Sequence, residues 1–244
     1  MLAAGNGSRL LPFTEHCPKC LVEVNNKPLL AHTIDALETS GFERLIIITG
    51  YCHDAIHRFL NNHQTGLEIT TVYNDRFSKT NNIYSLWLAE PWVNEPFMLI
   101  ESDLVYEPGA IAGLRHPDRI ALDRYNPSIH SGTTATVTDD GFLEKLYINE
   151  PAPVDSTACK TVNIYSFSLD SWIEICSALN SHLNAGQLDG FYELAIQELV
   201  ESGGIRLKAI DFSNFFWDEI DTVEDLERVK WRYSKQPELV HNAT

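Results

Sequence analysis

The chain has 244 residues, 44% of them hydrophobic, enough to bury the core of one sizeable α/β domain. With 34 acidic against 18 basic side chains its formal charge is −16, which weighs against nucleic acid or an anionic membrane surface as a partner. The five cysteines are too scattered for a disulfide scaffold, and no run reaches the ~20 apolar residues of a membrane span or the basic-then-apolar order of a signal peptide, which predicts a cytoplasmic protein.

Leu2-Ala3-Ala4 reads as the end of a buried strand whose start is clipped, and the Gly5-Asn6-Gly7-Ser8 loop follows it. Residues 28–40 carry Leu29, Leu30, Ile34 and Leu37 at helical spacing. Within 44–49 the run Leu45-Ile46-Ile47-Ile48 is the mark of a strand covered on both faces. A helix over 54–61, a strand over 67–73, a helix over 83–89 and an apolar strand over 97–100 continue the alternation and predict a mostly parallel sheet. Beyond about residue 120 shorter strands at 133–137, 143–147 and 161–166 predict a mixed or antiparallel half, with Asp139-Asp140-Gly141 as a hairpin turn. Helices are predicted over 169–183, 191–202 and 223–234, and a strand near 205–211. The expected domain is 1–235. The polar residues 236–244 read as a tail or linker, and together with the clipped first strand they suggest a domain cut from a longer polypeptide.

The most informative segment runs from Leu2 to Lys19. Glycines after a strand let the backbone approach a phosphate chain and aim N–H groups at it, and Arg9 and Lys19 add cationic donors to the same loop. A bare Gly-x-Gly is as easily an ordinary turn; its pairing with Arg9, Pro12, Thr14 and Pro18-Lys19 is far more restrictive. Asp103 ends the apolar run Met98-Leu99-Ile100, at the carboxyl edge where open α/β sheets bind ligands, and is a candidate metal ligand; the bland alternative is a strand-end turn.

The segment Leu2-Ala3-Ala4-Gly5-Asn6-Gly7-Ser8-Arg9-Leu10, with Pro18-Lys19 after it, resembles the signature of the nucleotidyltransferases that make activated sugars and activated amino alcohols. Trp217-Asp218-Glu219-Ile220-Asp221-Thr222-Val223-Glu224-Asp225-Leu226 looks like that family's closing motif, and Asn81-Asn82-Ile83-Tyr84-Ser85 is more like the bacterial phosphocholine and 2-aminoethylphosphonate cytidylyltransferases than the sugar enzymes. The resemblance implies an α/β, Rossmann-like three-layer sandwich with a mixed, mostly parallel central sheet, of the nucleotide-diphospho-sugar transferase type. It implies a Mg²⁺ ion held by Asp103 and Asp221, Arg9 on the leaving pyrophosphate, and Lys19 on the α-phosphate and acceptor. Nucleotide contacts then fall to residues 2–9 (Leu2, Ala3, Ala4, Gly5, Asn6, Gly7, Ser8, Arg9), Lys19, Asn81 and Ser85; acceptor contacts fall to Asn82, Tyr84, Asp123, Tyr125 and Trp217.

Several of these have plainer readings. Asp221 fits as the cap of the following helix, and Asn81 fits as the cap of its own. Tyr84, Trp87, Tyr125 and Trp217 offer an aromatic cage for a quaternary ammonium, while core packing is the stronger account of Trp87. Cys17-Pro18-Lys19-Cys20 has zinc-like spacing but lacks a second pair, and His53 and His57 lack the acid of a metalloprotease motif and read as solvent-facing. The expected function is CMP transfer from CTP to a small phosphonate or phosphate, in a chain fused to or partnered with another phosphonate-pathway or lipid-precursor enzyme. A sugar-1-phosphate nucleotidyltransferase is the nearest rival, and a non-catalytic nucleotide-binding regulatory module the rival of another class. A dehydrogenase fails because Leu10 stands where the third glycine of its fingerprint belongs.

Overall fold

The computed structural model describes residues 1–150 and 158–235. Its elements begin with β1 (Leu2–Ala3), β2 (Glu23–Val24), β3 (Lys27–Pro28), α1 (Leu29–Thr39), β4 (Arg44–Thr49), α2 (His53–Asn62) and β5 (Glu68–Tyr73). They continue with α3 (Asn82–Trp87), β6 (Phe97–Ile100), β7 (Leu104–Tyr106), β8 (Arg119–Arg124), β9 (Thr134–Val137), β10 (Leu143–Tyr147) and β11 (Cys159–Phe167). The last are α4 (Leu169–Asn184), α5 (Tyr192–Glu201), β12 (Lys208–Asp211), β13 (Trp217–Glu219) and α6 (Val223–Lys235). The chain divides into two compact units: Met1–Ser78 with Glu101–Ala112 and Phe215–Thr244, and Lys79–Ile100 with Gly113–Asn214.

In the first unit β1, β4 and β5 form a parallel sheet with β4 in the middle, Leu2 opposite Ile48 and Ala3 opposite Thr49. The branched run of β4 suits that central position, and Leu45, Ile47 and Ile48 are buried. The chain leaves β4 through Gly50, where a Cβ would stand 2.6 Å from the carbonyl oxygen of Ala4 and 2.7 Å from Phe77 Cβ, so only glycine lets the two strand ends approach. His53 and His57 lie against each other with centroids 5.0 Å apart, His53 packs on Tyr73, and His57 Nε2 meets the Thr71 hydroxyl at 3.1 Å. They cover β5 rather than simply facing water. β7 pairs antiparallel with β13, setting Leu104 opposite Glu219. A core of Leu10, Val22, Val24, Leu29, Val105, Phe216, Ile220, Leu226, Val229 and Tyr233 ties the signature loop to α6. The residue that breaks a dehydrogenase fingerprint, Leu10, is fully buried there, which stabilises the fold by about 2 kcal/mol.

In the second unit the sheet runs β10-β9-β11-β8-β12, with β6 pairing β11. All its pairings are antiparallel except β12 with β8. β11 is the hub. Its register shifts between Thr161 and Tyr165, where Asn163 takes a φ of 59°, and Thr161 Oγ1 stabilises the bulge by bonding the carbonyl of Thr133 and Asn163 Oδ1, both at 2.9 Å. α4 and α5 bury Trp172 and Tyr192 against the ring ladder Phe97, Phe167 and Tyr165.

β1, β4 and β5 are parallel and the later strands form a mixed sheet, as expected, but the strand expected at 97–100 to continue the parallel sheet, β6, pairs antiparallel with β11 in the mixed one. The hairpin at Asp139-Asp140-Gly141 joins β9 to β10, with Gly141 at φ 76°. The short β2–β3 hairpin, β7, β8 and β13 were not predicted, and β12 begins at Lys208 rather than near 205. The tail expected over 236–244 lies outside the described residues. Among the described residues no helix is long and apolar enough to cross a membrane.

Candidate active site

The first unit concentrates charge at one place. After β1, Gly5 has open space where a Cβ would stand, and Gly7 sits at φ 60°, with Thr14 Cγ2 3.0 Å from its hypothetical Cβ. Thr14, itself buried, donates to the Gly7 carbonyl at 2.7 Å, and Tyr51 Oη donates to the carbonyls of Thr14 (3.0 Å) and Glu15 (2.6 Å). The loop is therefore held by Thr14, whose own backbone Tyr51 holds, before any ligand arrives. Ser8–Leu10 form a 3-10 turn, so Leu10 points into the core while Arg9 stays largely exposed. Lys19 opens a second 3-10 turn behind Pro18.

Lys19 Nζ lies 2.7 Å from Asp103 Oδ2 and 2.5 Å from Asp221 Oδ1, and Arg9 Nη2 is 3.0 Å from Asp221 Oδ2. Burial alone would lower the Lys19 ammonium, but the two carboxylates more than offset it and hold its pKa well above the usual lysine value. Asp103 sits in the turn that opens β7, where Ile220 N donates to its carbonyl at 3.0 Å. Asp221 is not the cap of α6. Thr222 and Asp225 do that work reciprocally: Asp225 Oδ2 accepts from Thr222 N at 2.8 Å and Thr222 Oγ1 accepts from Asp225 N at 3.2 Å. The Asp221 carboxylate is thereby left to Lys19 and Arg9.

One ligand oxygen each of Asp103, Glu219 and Asp221 lie within 4.8 Å of one another. Asp103 Oδ1 is buried with no hydrogen-bond partner. Three hard carboxylate donors with one buried oxygen unsatisfied fit a divalent cation of the magnesium type. Glu219 was not singled out from the sequence. No period marks it, since β13 has three residues; pairing with β7 is what sets it beside Asp103 and Asp221.

Asp103, Asp221, Arg9, Lys19 and the loop from Leu2 to Ser8 thus come together in one unit, and Trp217, 5% exposed on β13, belongs to that unit too. Asn81, Asn82, Tyr84, Ser85, Asp123 and Tyr125 belong to the other. There Asn81 Oδ1 accepts from Asn82 N at 2.8 Å, its Nδ2 donates to the carbonyl of Asp189 at 3.2 Å, and Asn82 Oδ1 accepts from Tyr192 N at 3.0 Å. These side chains fasten the 188–192 loop to α3, and Ser85 is buried beside them. The Tyr84 ring lies 5.4 Å from that of Trp87, tilted by 33°, and the Trp87 indole donates to Asn180 Oδ1 at 2.9 Å. Asp123 lies near the end of β8 opposite Lys160 of β11, and Tyr125 follows it, 6.3 Å from the His130 ring.

Residues 1–116 match the family described as nucleotidyl transferase. The chain is 30% identical to a CMP-5'-(3-aminopropyl)phosphonate synthase of Streptomyces rubellomurinus, over 96% of this chain and 38% of that protein. It is 25% identical to a choline-phosphate cytidylyltransferase of Streptococcus pneumoniae, over 94% of this chain and 95% of that one. A solved structure of CTP:phosphocholine cytidylyltransferase from Streptococcus pneumoniae superposes with a TM-score of 0.80 at 23% identity, covering 95% of this chain and 96% of the other. Residues 1–116 thus match the nucleotidyl transferase family, the chain is similar to proteins named as cytidylyltransferases, and it has the Rossmann-like α/β fold of its structural neighbour, with a mixed sheet.

Proposed function

We propose that this chain transfers CMP from CTP to a small phosphonate or phosphate carrying an amine, such as 2-aminoethylphosphonate or phosphocholine, and releases pyrophosphate. The observation that carries this reading is the convergence of Arg9 and Lys19 with three carboxylates beside the glycine loop. An acceptor oxygen attacks the α-phosphorus, the bond to the β-phosphate bridge oxygen breaks, and its electrons leave with pyrophosphate. The loop of residues 5–8 and Arg9 receive the departing pyrophosphate, and Lys19 turns its donors to the α-phosphate, where charge shifts most in the transition state. Asp103, Glu219 and Asp221 would hold Mg²⁺, which supplies neutralising charge in a protein that is otherwise strongly acidic. No protein nucleophile is needed.

The names of the aminopropylphosphonate and choline-phosphate relatives support a cytidylyl donor and an amine-bearing acceptor. A pyrophosphate-release assay crossing four nucleoside triphosphates with phosphocholine, phosphoethanolamine, 2-aminoethylphosphonate, 2-hydroxyethylphosphonate and glucose-1-phosphate tests the reading. The expected result is CTP with 2-aminoethylphosphonate ahead of the other pairs. Best turnover with UTP or dTTP and the sugar phosphate would replace it with a sugar nucleotidyltransferase.

A further inference from the structure

Two of the three convergent carboxylates are carried by a short strand and the turn after it, and a three-residue strand does not hold itself still. One guanidinium grips both pieces. Arg228, on α6, donates through Nη2 to Asp218 Oδ1 at 2.7 Å and through Nε to Asp218 Oδ2 at 3.2 Å, a two-pronged bond to the neighbour of Glu219. Its third donor, Nη1, reaches Asp225 Oδ1 at 2.6 Å. The other oxygen of Asp225 accepts from Asp221 N at 3.1 Å as well as from Thr222 N and Oγ1 at 2.8 and 2.9 Å. Asp218 is buried, and its second oxygen also accepts from Arg232 Nη1 at 2.7 Å. Arg232 donates also to the Trp217 carbonyl, at 2.9 Å, rather than to Asp225.

We propose that Arg228 is a positioning residue for the cation site: through Asp218 it sets Glu219, and through Asp225 it sets Asp221. The inference rests on Asp103, Glu219 and Asp221 holding the metal. Its argument is geometric. A planar fork with three donors aimed at two carboxylates fixes strand and turn relative to one helix, and lysine, a point charge, cannot span both. Outer residues that orient ligands typically weigh about 10- to 100-fold on metal affinity.

The test is Mn²⁺ binding to the full chain without nucleotide or acceptor, read by electron paramagnetic resonance of the free ion, beside thermal midpoints. Arg228→Lys and Asp225→Asn should each weaken Mn²⁺ about tenfold or more. Arg232→Ala, which takes one bond from Asp218 and none from Asp225 and leaves the two-pronged Arg228 bond in place, should stay within about threefold of wild type. Equal weakening by Arg228→Lys and Arg232→Ala would mean a general loss of α6 packing and would overturn the proposal; so would unchanged affinity in Arg228→Lys and Asp225→Asn. Asp103→Asn separates the two readings. If it binds Mn²⁺ like wild type, or wild type binds none, the metal assignment itself fails; if it loses the ion while the Arg228 and Asp225 variants keep it, only the positioning role fails. An error about the acceptor leaves every arm unchanged.

Discussion

Lys19 is the residue on which the site turns, because its ammonium meets two carboxylates that are themselves almost out of water. A charge placed on the reacting phosphate matters most as negative charge moves during bond exchange, so Lys19→Ala should lower kcat by about 10²–10³-fold and change KM for CTP much less. Steady-state kinetics at saturating acceptor measure this; an unchanged kcat with a raised KM would confine Lys19 to binding the ground state. Asp103→Asn and Asp221→Asn each remove a charged oxygen without removing volume. They should retain the thermal midpoint to within a few degrees and lose most turnover in Mg²⁺, and near-normal activity in either would remove that residue from the metal set.

Among the elements, α6 has the most explicit start signal, and its cap shares Asp225 with the turn that carries Asp221. Thr222→Ala deletes the hydroxyl that accepts from Asp225 N, and should cost about 1 kcal/mol, seen as a drop of roughly 2–4 °C in Tm. The long elements were legible because their apolar residues repeat over enough positions to set a period: Leu29, Leu30, Ile34 and Leu37 in α1, Leu45 to Ile48 in β4. β7 and β13 have three residues each, too few for any period, and they are strands only because they pair with each other. β8 was hidden by Pro127 and Gly132 downstream, which punctuate the loop but say nothing about Ile120-Ala121-Leu122. At the site, Arg9, Lys19, Asp103 and Asp221 were legible because their residue types and their neighbours in the chain restrict what they can do. Glu219 was not, since its role depends on where β13 is pinned.

Across the molecule, carboxylates held ionised by the fold make low pH a vulnerable side. Burial raises the Asp225 carboxyl, but its bonds from Thr222 and Arg228 outweigh that and hold its pKa below the ordinary 3.8; the backbone and side chain of Ser213 do the same for Asp211. A group depressed in the folded state contributes stability above its unfolded pKa and loses it as pH falls through the folded value. Tm should therefore decline below about pH 4, and Asp225→Asn should flatten part of that decline in a calorimetric pH series. The burial of Leu10 has a thermodynamic consequence for ligand binding. With that side chain already out of water and the Gly7 carbonyl already held by Thr14, the loop has little left to order when a triphosphate arrives. Binding of CTP should then show a small heat-capacity change and little entropic penalty from the chain, whereas Leu10→Ala should make the heat-capacity change more negative, as disorder that wild type settles during folding is settled by the nucleotide instead.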